Sequence, residues 1–471
     1  MSRAYGVRVL RPWHHLGDID ILAVAAATVL GAAFGARAGL LVAFVVLVAR
    51  RGWFPGAVCV LMAFAGSVSA DRAWAEASPR QLGPFVGWAE VAADPAQVGR
   101  GLRITWEIEG ERFDSWVYGR ARASTQSRQV GEVVWLSGTR VASSGDVRRA
   151  RTRHVVGVFR VEALGDVLAG DGLARAGNRV RSALRRSASR TMRPAEAALF
   201  TGLVIGDDAL QPQWMVAQFR SSGLSHLTAV SGQNVGFVMA AVLPLLRRMR
   251  PLGRWAATIA VILWFMAITR FEPSVLRAGV MAMLSATAFV MGRQATPQRL
   301  VGLAVTSLTL ADPMLVHLVA FWLSVGATLG VCTVGPWCAA RLPGPHWFRV
   351  SVGVSLGAQV GVALPSLLAF HRLALVSVVA NVAAVPVAGM VMLYGLPGGL
   401  LAGVLPGWLQ RLVMTPAAIG TRWTATVAQV GSALEPSGSA AVVMWCAAMV
   451  ALAFTLFRGH RSRSAPQHVP F

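Results

Sequence analysis

A chain of 471 residues that is 55% hydrophobic and only 14% charged is not an ordinary soluble protein, which would carry about a quarter charged residues. Its formal net charge is nonetheless +23, and all 44 basic residues are arginine. Codon bias and phosphate pairing account equally well for Arg in place of Lys, but codon bias does not explain the net charge, which points to a polyanionic partner. The four cysteines lie in or beside apolar runs without a CxxC pair, so neither a disulfide framework nor a zinc site is indicated.

Residues 1–70 hold three apolar runs, Ile19–Gly35, Ala38–Ala49 and Trp53–Ala70, read as retained transmembrane helices. Arg3, Arg8 and Arg11 precede the first run, and Arg50 and Arg51 follow the second. Both groups fall inside if the N-terminus is cytoplasmic, which puts the residues after Asp71 outside the plasma membrane. Residues 71–170 are densely charged and alternate like strands. Ile104, Trp106 and Ile108 face one way, while Arg103, Thr105 and Glu107 face the other. Val130–Gly138 and His154–Leu164 read as further strands, with turns at Gly110, Gly131 and Gly145, giving a small all-β barrel or sandwich. In residues 171–194, Leu173, Ala176, Val180, Leu184, Ala188 and Met192 recur at helical spacing among arginines. This basic amphipathic helix is expected to lie on a membrane surface in preference to packing on the β-domain.

Residues 195–457 are apolar again. The candidate spans are Thr228–Leu246, Trp255–Thr269, Ser274–Met291, Leu300–Leu310, Leu315–Val334, Val350–Phe370, Leu373–Tyr394, an undivided region over Leu396–Val430, and Ala440–Phe457. Arginine clusters between them allow one consistent threading of roughly 10–12 spans with both termini cytoplasmic. Pro273, Pro313, Pro365, Pro386 and Pro397 interrupt them, as broken or re-entrant helices do where they line a cavity. Residues 458–471 form a basic tail. The fold class is therefore a polytopic α-helical membrane protein with a small extracytoplasmic β-domain.

One polar segment, Phe219–Val235 (FRSSGLSHLTAVSGQNV), stands inside the apolar part. Polar groups persist at membrane depth only when they line a cavity, pair with one another or carry function. Arg220, Ser225, His226, Ser231, Gln233 and Asn234 are candidate path residues for a polyanion. The plainer reading is helix–helix glue. Arg277 sits in an apolar helix behind Pro273, so it either pairs with a carboxylate such as Asp312 or meets phosphate. Asn381, ahead of Pro386, is expected to bond a freed backbone group. Asp207 and Asp208 either hold a divalent cation or form a turn and helix cap, and the cap is favoured. In the β-domain Arg103, Arg112, Arg120 and Arg122 mix with Trp116 and Tyr118, as in grooves that bind single strands by charge and stacking, while Trp106 reads as core. No cofactor or metal is called for. No GxxxxGK[ST] run is present, so any driving force comes from partners.

Four blocks in order resemble the ComEC-type competence protein family: TGLVIGDDALQPQWMVAQFRSSGLSHLTAVSGQNVG (Thr201–Gly236), EPSVLRAGVMA (Glu272–Ala282), ADPMLVHLVAFWLSVGATLG (Ala311–Gly330) and ANVAAVPVAGMV (Ala380–Val391). The resemblance implies a membrane channel that takes up single-stranded DNA in transformation. It also implies an oligonucleotide-binding-like (OB-like) domain over Leu82–Asp166, a DNA receptor outside and a helicase-like motor in the cytoplasm; a homo-oligomer is left open by the sequence. Two departures stand out. Gln233-Asn234-Val235 replaces the family's Leu-His-Val, which removes a titratable group. The nine histidines contain no HxHxDH run, so the nuclease activity of larger relatives is not carried over and a non-enzymatic role is expected. The alternatives are a membrane-embedded hydrolase using Ser231, His226 and an aspartate, and a secondary transporter of a small anion.

Overall fold

The computed structural model describes residues 16–50, 53–99, 101–119, 121–143, 145–228, 232–293, 295–371 and 374–436. The expected span Ala440–Phe457, the basic tail, Arg3, Arg8, Arg11, Arg51, Arg120 and Ser231 lie outside the described residues. In chain order the first helices are α1 (Asp18–Phe34), α2 (Ala36–Arg50) and α3 (Trp53–Glu76). There follow β1 (Gly83–Val98), β2 (Gly101–Ile108), β3 (Glu111–Val117), α4 (Ala121–Gln126), β4 (Val133–Ala142), α5 (Val147–Arg151) and β5 (Val155–Leu168). The rest is helical: α6 (Gly172–Thr191), α7 (Pro194–Ile205), α8 (Gln213–Ser221), α9 (Ser225–Thr228), α10 (Gly232–Leu246), α11 (Pro251–Ile268), α12 (Pro273–Val290), α13 (Pro297–Ala311), α14 (Val319–Ala339), α15 (His346–Phe370), α16 (Ser377–Ala402) and α17 (Gly407–Leu434).

The chain divides into two compact units. The first takes the residues up to Asp71 together with Ala295–Pro313. Small side chains let its helices approach closely, with Val24, Ala27, Ala43, Cys59 and Ala63 at the core. Arg299 pairs with Asp18 at 3.5 Å, and Ser69 Oγ donates to the Leu310 carbonyl at 2.9 Å, so α13 is tied to both ends of the N-terminal helices.

The second unit opens with a closed five-stranded barrel in the order β1-β2-β3-β5-β4. Alternation dictates its interior: Val91, Ile104, Trp106, Ile108, Phe113, Leu136 and Phe159 fill it. Trp106 is core, as its apolar companions predict. A two-residue turn at Glu109-Gly110, both with positive φ, joins β2 to β3 in the conformation that matches strand twist. Bulges in β1 interrupt its pairing with β2 between Val91 and Ala96. They fall around Asp94, which accepts a hydrogen bond from the Val130 backbone at 3.0 Å.

Six helices are long and apolar enough to cross a bilayer among the described residues: α3, α11, α12, α14, α15 and α16. Of the roughly 10–12 expected spans, α1 has only 17 residues and α2 and α13 only 15 each, and Ala440–Phe457 lies outside the described residues. α7 has 12 residues and α10 has 15; a 12-residue helix rises only about 18 Å, against a hydrocarbon core of about 30 Å. α7 is buried on every side, with Leu199, Phe200, Leu203 and Ile205 at the centre of the bundle core. Such a helix belongs inside protein, not in lipid. Gly206, in the left-handed conformation, ends it.

α6 departs from its expected place. Its apolar stripe does not face a membrane surface: Leu184, Ala188 and Met192 join the core of α7, α16 and α17. The stripe looks like that of a surface helix because a protein interior and a lipid surface both demand the same 3.6-residue period. α14 and α15 pack backbone to backbone. A Cβ at Gly326, Gly330 or Gly361 would run into a carbonyl of the facing helix, and one at Gly357 would stand 2.6 Å from the Gly330 oxygen.

Candidate functional site

The barrel is fastened to the helices by a buried ion network. Arg181, on the inner face of α6 and 3% exposed, donates from Nη2 to Asp94 at 3.1 Å and lies 3.4 Å from Asp207. Its Nη1 donates to the carbonyls of Ile268 (3.1 Å) and Ile205 (3.4 Å). These carbonyls close α11 and α7, where helices leave acceptors unpaired and favour cations. Arg270 grips both oxygens of Asp94 from Nε (3.0 Å) and Nη2 (3.1 Å), and also donates to Asn178 at 2.7 Å. Burial alone would raise the Asp94 carboxyl, but Arg181 and Arg270 outweigh it and hold the group below its ordinary value.

This arrangement places the candidate cation residues differently from the cation reading. Asp207 is buried and engaged by the guanidiniums of Arg181 and Arg185, which supply the positive charge a metal would have brought. Asp208 stays accessible; burial of its surroundings and then the charge of Asp207 push its carboxyl up. Among the described residues no group of three or more His, Cys, Asp or Glu is placed to hold a metal ion.

On the barrel, β3 pairs with β5 only over Arg112–Asp114. Beyond that the strands part and leave a cavity of about 530 Å³, lined among others by Trp116, Tyr118, Ser124, Phe159, Arg160 and Glu162. Trp116 is 41% exposed and Tyr118 62% exposed, unusual for aromatics that have a core available. Arg103 lies directly across the β2–β3 ladder from Trp116. Arg112 is at the other end of β3, paired with Glu107 at 3.2 Å, and Arg122 donates to Gln97 at 3.1 Å. The groove thus brings together Trp116, Tyr118 and, beside them, Arg103. It adds Arg160, which the sequence did not single out because one arginine in an alternating strand carries no distinguishing pattern.

The polar segment Phe219–Val235 falls where helices break inside the bundle. Arg220, Ser225 and Gln233 are exposed. His226 is exposed and hydrogen-bonds to the Gly223 backbone. Asn234 is buried, and its Nδ2 donates to the Leu203 carbonyl at 3.2 Å, one of the acceptors left open at the end of α7. Asn234 is therefore a tie between α7 and α10, with no accessible face to offer a substrate. Gly223, at positive φ, sits against Ser377 of α16. From there a polar seam runs through Ser377 to Gln359 of α15 (3.3 Å) and Asn381 (3.4 Å). Asn381 bonds this hydroxyl and not the freed backbone expected of it.

Arg277 occupies the second turn of α12 and is 5% exposed. Its Nε and Nη1 have no hydrogen-bond partner, and no carboxylate among the described residues pairs with it. Gly232, the first residue of α10, lies against it: a Cβ there would stand 2.9 Å from that of Ala278 and 3.5 Å from Arg277 Nη2.

A multi-helix membrane protein with helices broken inside the bundle, carrying a small barrel with an open aromatic groove, is the class these features define. The family model described as "Competence protein" matches residues 203–461, more than half of the chain, and the chain belongs to that family. The chain is also similar to the uncharacterized protein YcaI of Escherichia coli (strain K12), 25% identical over 207 residues. That match covers 40% of this chain and 27% of the relative's own length. No solved structure matches the chain.

Proposed function

We propose that the protein conducts one strand of DNA across the plasma membrane during natural transformation, with the barrel on the outer side as its collecting surface. The observation that carries this reading is the groove between β3 and β5, where exposed Trp116 and Tyr118 lie beside Arg103 and Arg160. Bases stack on such aromatics whatever their sequence, and arginines follow the phosphates. The broken helices around Ser225, His226 and Gln233 supply the route, since backbone ends and hydroxyls inside a bundle replace water without trapping the cargo. The chain's own residues hold no nucleotide-binding motif, so a receptor outside and a motor inside complete the process.

The test is import of labelled DNA into the cytosol of a deletion strain complemented with wild type or with Trp116→Ala/Tyr118→Ala. Wild type is expected to restore import and the double variant to restore little of it. Unchanged import in the uncomplemented deletion strain would overturn the reading.

A further inference from the structure

We infer that the outward face of α6, carrying Arg175, Arg179, Arg186 and Arg190, is a rail for the phosphates of a single DNA strand, which it receives from the barrel groove and leads across the end of the helical bundle. This rests on the transport reading above and adds to it a second contact surface and a course for the strand.

Residues 172–193 hold seven arginines and no carboxylate. The fold divides them. Arg181 and Arg185 turn inward to Asp94 and Asp207, and Arg193 pairs with Glu196 beyond the helix end. The other four are exposed. At 3.6 residues per turn they fall within about 60° of one another around the helix axis, over a rise of about 22 Å. Buried Gly177, Leu184 and Ala188 lie on the opposite side, about 180° round. Arg175 Nη2 donates to the Gly170 carbonyl at 2.9 Å. No carboxylate among the described residues pairs with Arg179, Arg186 or Arg190. Equal charges one turn apart, Arg175 with Arg179 and Arg186 with Arg190, repel each other. Solvated faces ordinarily intersperse both signs; this one carries a single sign, a cost to the helix that a bound polyanion offsets.

The place of α6 in the bundle decides which polyanion. Gly177 rests against Ala267 and Ile268, in the last turn of α11. Arg181 donates to the final carbonyls of α11 and α7. Leu184 packs on Gly399, and Ser187 Oγ donates to the Gly399 carbonyl at 2.8 Å, in the last turn of α16. The helix therefore lies across helix ends, and its arginine face looks away from the bundle, not sideways into surrounding lipid. The barrel is on the same side, since Arg270, just past α11, holds Asp94 of β1.

One short segment joins groove and stripe. Ser124 of α4 lines the groove. A little further along the chain, Gln129 Nε2 donates to Ser182 Oγ at 3.2 Å, and the Val130 carbonyl accepts from Asn178 at 3.0 Å. Ser182 falls between Arg179 and Arg186 on the helix. Aromatics in the groove hold bases by stacking, and guanidiniums on α6 hold phosphates. Neither contact depends on sequence.

A lipid headgroup carries the same phosphate chemistry, and the experiment separates the two sources. Full-length protein in a maltoside detergent is titrated with a fluorescent dT oligonucleotide at several salt concentrations. The slope of log affinity against log salt is expected to fall by about 0.7 for each arginine removed, so by about 2 in Arg179→Gln/Arg186→Gln/Arg190→Gln. Arg179→Lys/Arg186→Lys/Arg190→Lys keeps the charge and should keep the slope, which separates ligand binding from a folding role. Arg247→Gln/Arg248→Gln/Arg250→Gln removes as much charge from exposed arginines at the far end of the 18-residue α11, about 27 Å away and beyond a screening length of about 10 Å. It should leave the slope as in wild type. A slope unchanged in the α6 Gln variant, or lowered equally by the two Gln sets, would overturn the rail. A melting temperature that rises when phosphatidylglycerol replaces phosphatidylcholine in nanodiscs, for wild type and not for the α6 Gln variant, with equal oligonucleotide slopes, would overturn the assignment to DNA. In cells, normal import with the α6 Gln variant removes the rail and leaves the transport reading standing. Import independent of the gene removes transport, while the slopes in detergent still decide whether the stripe holds a strand.

Discussion

Arg181 and Arg277 are buried to almost the same degree, yet their surroundings are opposite. Around Arg181, four acceptors converge: Asp94 from β1, the carbonyl ends of α7 and α11, and Asp207 from the loop after α7. Around Arg277, Gly232 of α10 lies against Nη2, and no acceptor reaches Nε or Nη1. A guanidinium with both Nη groups satisfied is a fastener, because breaking any one partner leaves charge stranded. A guanidinium left unsatisfied is a liability to the fold.

The largest effect that would break this contrast lies at the fastener. Asp94→Asn leaves Arg181 and Arg270 facing a neutral amide, and a loss of about 3–5 kcal/mol is expected from denaturation followed by tryptophan fluorescence. A loss below about 1 kcal/mol would show that the network does not hold the barrel in place. Next comes the groove. Trp116→Ala is expected to weaken binding of a dT oligonucleotide by about 1–3 kcal/mol per stacked base while leaving the barrel folded. Equal binding by the variant, measured by fluorescence anisotropy, would empty the groove of its role.

Acid gives a finer test. Asp94 has a folded pKa depressed below its unfolded value, so its stabilisation is complete above the unfolded carboxylate range and disappears as pH falls through the folded value. Wild type should therefore lose stability below about pH 4, at up to about 1.4 kcal/mol per pH unit for this one proton. Asp94→Asn should lose that component of the slope. The smallest effect is at the other arginine. Arg277→Met is expected to raise stability by about 1 kcal/mol, the reverse of what Asp94→Asn does. A large destabilisation there would mean that Arg277 is structural.

The barrel was legible where alternation was clean. Arg103–Ile108 reads as a strand with Trp106 inward, and β2 is built that way. β1 escaped notice because Gly83, Pro84, Gly87 and Asp94-Pro95 break its pattern, and its bulges exist to turn Asp94 toward α6 and Arg270. Basic residues on an amphipathic helix are equally compatible with water, lipid headgroups or a buried ion network. Periodicity therefore could not reveal that Arg181 points inward while Arg179 points out. The polar segment stands out in the sequence, but its members divide in the structure. Asn234 secures a helix end, whereas Ser225, His226 and Gln233 keep accessible surface. Gly232 carries no distinguishing signal of its own, since the reason for a glycine contact lies in the partner helix.

The glycine-to-glycine seam between α14 and α15 has a mechanical consequence. Two rods whose carbonyls already abut along several turns can neither slide nor twist against each other without a clash, so they behave as one stiff plank. Whatever yielding the bundle needs to admit a bulky chain must come from joints elsewhere, and a single methyl group added at Gly330 or Gly357 would prise that plank apart.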